Sequence, residues 1–65
     1  MIMSYDEEVD ILWIRLSQHG IEESDEVQHG MIFDYDAAGN IVGIEIHAAS
    51  QRVDNPREVE FAKAA

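Results

Sequence analysis

"MIFDYDAAGNIVGIEIH", residues 31–47, decides the fold. Apolar residues fall at every second position before "AAGN" and again after it, which is the period of a half-buried strand. If Asp36 pairs with Ile41, then Met31, Phe33 and Tyr35 face Ile46, Ile44 and Val42. The opposite face then carries Ile32, Asp34, Asp36, Ile41, Gly43, Glu45 and His47. A slip of one residue would destroy this agreement between the strands, so the pattern specifies a hairpin and its register. Gly39 stands near the end of the loop, where a positive φ is often needed.

The same residues spell something else. Counted from Asp34, the order is acid, any, acid, any, Ala, Gly, five residues, Glu, which is an EF-hand calcium loop lacking one ligand. Ala38 fills a ligand position, and the flanks alternate like strands where an EF-hand needs helices. The stretch therefore reads as a tight turn in which Asp36 caps backbone donors. Asp34, Asp36 and Glu45 still share the outward face, and Gly43 opposite Asp34 leaves space. Solvated surface acids are the first reading of this trio, and a site for one weakly held Ca²⁺ or Mg²⁺ is the second. No other cofactor is implied.

Working outward, "MIMSY" and "ILWIRL" flank the acidic turn "DEEVD" at residues 6–10. Met3 and Tyr5 can share a face with Leu12, Ile14 and Leu16, which sends Trp13 and Arg15 to the other side. Between the hairpins, "IEESDEVQ" suits an edge strand whose charges discourage stray pairing. "HAASQRVD" reads as a turn or short helical stretch. "NPREVEFAKAA" carries the signals of a helix start, with Asn55 as N-cap, Pro56 at the first position and Glu58 three after the cap. The expected fold is α+β in a single domain. It is a small antiparallel meander of four or five strands, near 1–5, 11–16, 23–28, 31–36 and 41–47, with a C-terminal α-helix near 56–64.

A chain of 65 residues buries only about 60% of its unfolded surface and gains little from its core. There is no Cys, so neither disulfides nor thiolate metal sites can help. One short helix is a poor cover for the apolar row, so a homodimer or higher oligomer is expected, packing sheet on sheet or swapping helices. Fourteen acids against four bases give a net charge of −10. Such a chain is repelled by nucleic acid and by anionic membranes, and suits a basic protein partner or a cation. No stretch approaches the ~18 apolar residues of a membrane span. The acidic N-terminus lacks the basic region of a signal peptide, which predicts a cytoplasmic protein.

Chemistry-bearing constellations are missing. His19, His29 and His47 have no metal-ligand spacing, and no Ser lies in a nucleophilic arrangement. "DEEVD" and "EESDE" are acidic clusters on a turn and an edge, read as solvated loops first and as a docking surface for a basic partner second. Trp13, with Arg15 beside it, is the candidate for partner binding, because Trp and Arg are enriched at interaction hot spots. Packing of Trp13 under the C-terminal helix is the competing and favoured structural role.

The residues "YDEEVDILWIRLS" and "GMIFDYDAAGNIVGIEIHAAS" together resemble a family of small prokaryotic proteins, the domain of unknown function numbered 2283. The resemblance covers Met3 to Arg52 and rests on Tyr5-Asp6, Asp10, Trp13 with Ile14 and Leu16, Asp34-Tyr35-Asp36, Gly39 and Gly43-Ile44-Glu45-Ile46. It implies a compact β-rich domain without an established activity, and some relatives are suspected antitoxins. This chain departs from the pattern at Ala38 and Ala48, where relatives often carry an acid; if those acids serve a cation site, the site is weaker here. The expected function is a non-enzymatic interaction module binding a basic, toxin-like partner. A cation-binding regulator on Asp34, Asp36 and Glu45 ranks second, and an enzyme with a site between subunits ranks third.

Overall fold

The computed structural model describes residues 1–64. Five strands form one antiparallel sheet: β1 (Ile2–Asp6), β2 (Ile11–Arg15), β3 (Glu23–Gln28), β4 (Met31–Tyr35) and β5 (Ile41–His47). The expected strands lie within a residue of these bounds. The spatial order is β1-β2-β5-β4-β3. This corrects the expectation of a meander, because β2 leaves its hairpin to pair with β5. The connection 16–22 therefore runs past the β4–β5 hairpin to reach β3. It is tied there by bonds from the Leu16 and Glu22 amides to the Val42 and Tyr35 carbonyls, at 2.9 and 2.7 Å.

The register sorts the side chains into transverse rows. Met3, Ile14, Ile44 and Phe33 form one apolar row, and Tyr5, Leu12, Ile46 and Met31 form the next. The opposite face carries the rows Ser4–Trp13–Glu45–Ile32–Glu26 and Ile2–Arg15–Gly43–Asp34–Ser24. The 31–47 hairpin matches the expected pairing from Met31 to Asp34. Beyond that point an irregularity lets Tyr35 meet Ile41, leaving Val42 as the extra residue, 1% exposed. A bulge of this kind increases the local twist of the strand.

The α+β assignment is overturned: the described chain is all-β, and its only helical element is a 3-10 turn at Ala49–Gln51. The capping signal at Asn55 does form. Its side chain accepts from the Arg57 amide at 3.0 Å, its carbonyl accepts from the Glu58 amide at 3.1 Å, and its amide group donates to Glu58. No helix propagates from that turn. Nucleation fixes several dihedrals for one hydrogen bond, and a segment of nine residues gains little unless an apolar stripe docks. Val59 and Phe61, its main apolar handles, are 60% and 93% exposed.

The tail nevertheless covers part of the apolar face. Ala49, fully buried, joins Leu12 and Ile46 in the core, with Tyr5, Ile14, Met31, Ile44 and Val53 packed around them. Asp10 fastens this cover. Its carboxylate accepts from the Tyr5 hydroxyl at 2.6 Å, from the Ser50 amide at 2.9 Å and from the Ser50 hydroxyl at 2.6 Å. These bonds, led by that of the Ser50 hydroxyl, hold the Asp10 carboxyl below its ordinary range. Arg57 lies over the Tyr5 ring at 5.5 Å and pairs with Glu7.

Candidate functional site

The site is built around a missing side chain. Gly43 stands opposite Asp34 in the ladder, and the Asp34 carboxylate lies across the space a side chain would fill. A Cβ at Gly43 would sit 2.8 Å from Asp34 Oδ2 and 3.4 Å from the Trp13 indole nitrogen. Asp34 is 0% exposed, an unusual place for a carboxylate. Its Oδ1 accepts from the Ser24 hydroxyl at 2.6 Å, while Oδ2 has no hydrogen-bond partner.

A second bulge supplies Ser24. The two-residue turn His29–Gly30 aligns Gln28 with Met31, and a regular ladder would then set Asp25 against Asp34. The shift between Glu26 and Gln28 brings Ser24 there instead. A repulsive pair of acids is thereby replaced by a hydroxyl donor.

Glu45 is the neighbouring group. Burial raises its pKa first, followed by the carboxyl of Asp34 beside it. His47 acts in the opposite direction, with Nε2 3.7 Å from Glu45 Oε1. The neighbouring Asp34 carboxylate thus favours the protonated form of Glu45.

Trp13 is the direct cross-strand neighbour of both Ser4 and Glu45. It does not lie under the tail, which packs on the other face. It is 38% exposed and forms the wall of a groove with Ser4, Ile11 and Val9, rimmed by Asp6, Glu7, Glu8 and Glu45. Arg15 lies on the same face in the next row and donates from Nη2 to the His19 carbonyl at 3.2 Å, which ties it to the 16–22 connection.

The expected metal trio is only partly assembled. Asp34 and Glu45 are together, but Asp36 is engaged by the hairpin turn. Its carboxylate accepts from the Ala38 and Asn40 amides at 3.0 and 2.9 Å and meets His19 Nδ1 at 3.2 Å. These bonds, the Asn40 amide foremost, lower its pKa. Among the described residues, no group of three or more His, Cys, Asp and Glu is arranged to hold a metal ion. Ala48 has its own explanation: its φ of 52° is left-handed, a backbone that Asn, Asp and Gly adopt more readily than Ala.

The sequence pattern does not mark Ser24 or His47 as site residues. The β3 bulge hides the first, because only the shifted register brings it to Asp34. The alternation of β5 placed His47 on the right face, but nothing in the sequence linked it to Glu45.

These features define a small, single-sheet all-β domain with a buried carboxylate beside an exposed tryptophan. Residues 2–50 match the model of a family described as a protein of unknown function (DUF2283), and the chain belongs to that family. No curated protein and no solved structure matches it.

Proposed function

We propose that this protein is a non-enzymatic interaction module that docks a basic protein partner on the face bearing Trp13. One observation carries the proposal: a half-exposed tryptophan stands in a groove rimmed by Asp6, Glu8 and Glu45, with Glu7, already paired with Arg57, beside them. An aromatic wall ringed by acids suits an ammonium or guanidinium group, through cation–π attraction and charge complementarity. The net charge of −10 would speed and orient the encounter. An antitoxin-like role against a basic toxin is the finer form of this reading.

The test is co-purification with the product of a neighbouring gene that encodes a short basic protein, followed by calorimetry at low and high salt. Trp13→Ala should weaken the complex by about tenfold or more, as loss of a hot-spot aromatic does. An affinity indifferent to both salt and Trp13 would refute the reading.

A second reading follows from the unpartnered Oδ2 of Asp34 beside Glu45, an atom that a cation could satisfy as well as a proton. Here the domain is a weak divalent-cation regulator. An unchanged melting temperature in millimolar Ca²⁺ and Mg²⁺ would end it.

A further inference from the structure

The two edges of the sheet differ in kind. β3, "ESDEVQ", is exposed along its whole length, carries three acids in six residues and is bulged. Charges and a bulge are the devices by which natural sheets prevent another strand from pairing. β1, "IMSYD", has none of them along its first four residues: it is regular and uncharged, with Ile2, Met3 and Ser4 exposed and Tyr5 half-buried. Among the described residues, no backbone hydrogen bond outside the β1–β2 ladder uses β1. Its outward N–H and C=O groups thus have no backbone partner, although Pro56, Arg57 and Val59 of the tail line a groove with Met3, Ser4 and Tyr5, so an added strand would have to pass beside them.

The unprotected edge borders the Trp13 groove. Ser4 of β1, Trp13 of β2 and Glu45 of β5 form one row on one face. A strand added beside β1 would lie about 10 Å from β2, two strand spacings away. A long basic side chain on that strand can cross the small Ser4, reach the Trp13 ring and enter the field of the carboxylates.

We propose that β1 is a docking edge, to which an extended lysine- or arginine-bearing segment of the partner adds as a sixth strand, laying its basic side chains along Ser4, Trp13 and Glu45. The proposal rests on the function proposed above and specifies how the partner binds. Strand addition gives affinity through the main chain, and the alternate side chains give specificity. The charge pattern favours this occupant over a second copy of the chain, which would bring a further net charge of −10 to an already acidic molecule.

The probe is a decapeptide alternating lysine and threonine, titrated into the isotopically labelled full chain by NMR. Its fully N-methylated counterpart keeps the charge and lacks backbone N–H donors. We expect the unmodified peptide to bind, to shift the Trp13 indole signal, and to slow hydrogen exchange of the outward β1 amides by about tenfold or more, as newly bonded amides show. The N-methylated peptide should bind at least about tenfold more weakly.

Equal binding of the two peptides, or protection of β3 in place of β1, overturns the edge and leaves the Trp13 face standing. Binding by neither peptide overturns both. Protection of β1 without peptide, in a chain that sediments as a dimer, assigns the edge to a second copy and also overturns the proposal.

Discussion

The two faces of the sheet come from the same strands and the same alternation, yet they serve different ends. One face is a core. Leu12, Ile46 and Ala49 are buried there, and the segment after β5 is fastened over them through Asp10. The other face has no such cover. Its most buried side chain is a carboxylate, Asp34, and its large aromatic, Trp13, is left half exposed. A face that buries charge and exposes tryptophan spends stability that the first face must supply. The docking proposed for this protein lies on the uncovered side.

The largest effect should come from the covered face. Leu12→Ala removes a buried side chain and should cost about 2–5 kcal/mol in urea unfolding. A loss below the range of surface substitutions would show that the tail is no true cover.

Gly43→Ala tests the other face. Its Cβ would meet Asp34 Oδ2, and overpacking of this kind costs about 1–3 kcal/mol. Adding Asp34→Ala should recover part of that loss, and the coupling can be read from the double-mutant cycle. Strict additivity would mean that the two residues do not compete for the same space.

Acidification should separate the faces. The folded-state pKa of Glu45 lies above its ordinary value of 4.5. Its contribution is therefore fully present below about pH 4.5 and is lost as pH rises through the raised value. Asp10 and Asp36, whose pKa values are lowered, contribute above their ordinary values and lose that contribution as pH falls through the lowered ones. Melting temperature against pH should thus fall on both sides of a mildly acidic maximum. Glu45→Gln should flatten the alkaline limb alone; an unchanged limb would dissociate Glu45 from the effect.

Ala48→Gly relieves a left-handed alanine beside the core turn and should stabilise the fold by about 0.5–1 kcal/mol. Phe61→Ala should be nearly silent, within about 0.5 kcal/mol, as befits an exposed tail residue. A larger loss there would restore a packed role for the C-terminus.

Much of this was legible in the residues. The alternation from Met31 to His47 and from Ile2 to Arg15 gave four of the five strands, their two hairpins and the face of nearly every side chain in them, because one-residue slips would expose the apolar rows; β3 was legible only as a charged edge. The Asp36 cap and the space at Gly43 followed from turn chemistry and from register. The helix did not form because capping residues start a turn while docking must sustain it, and residues 57–64 offer no apolar stripe to dock. The trio Asp34, Asp36 and Glu45 separated because alternation assigns a face to a side chain but does not fix its bonding partners, and Asp36 is held by its own turn.

By itself the sequence determined an antiparallel, acidic, cysteine-free sheet with one apolar face, since those properties depend only on period, charge and composition. Only the tertiary structure decided that β2 pairs with β5, that bulges bring Ser24 to Asp34 and bury Val42, and that the tail lies over one face and leaves Trp13 open on the other. Those outcomes depend on contacts between residues far apart in the chain, and on the competition among them for the same few sites.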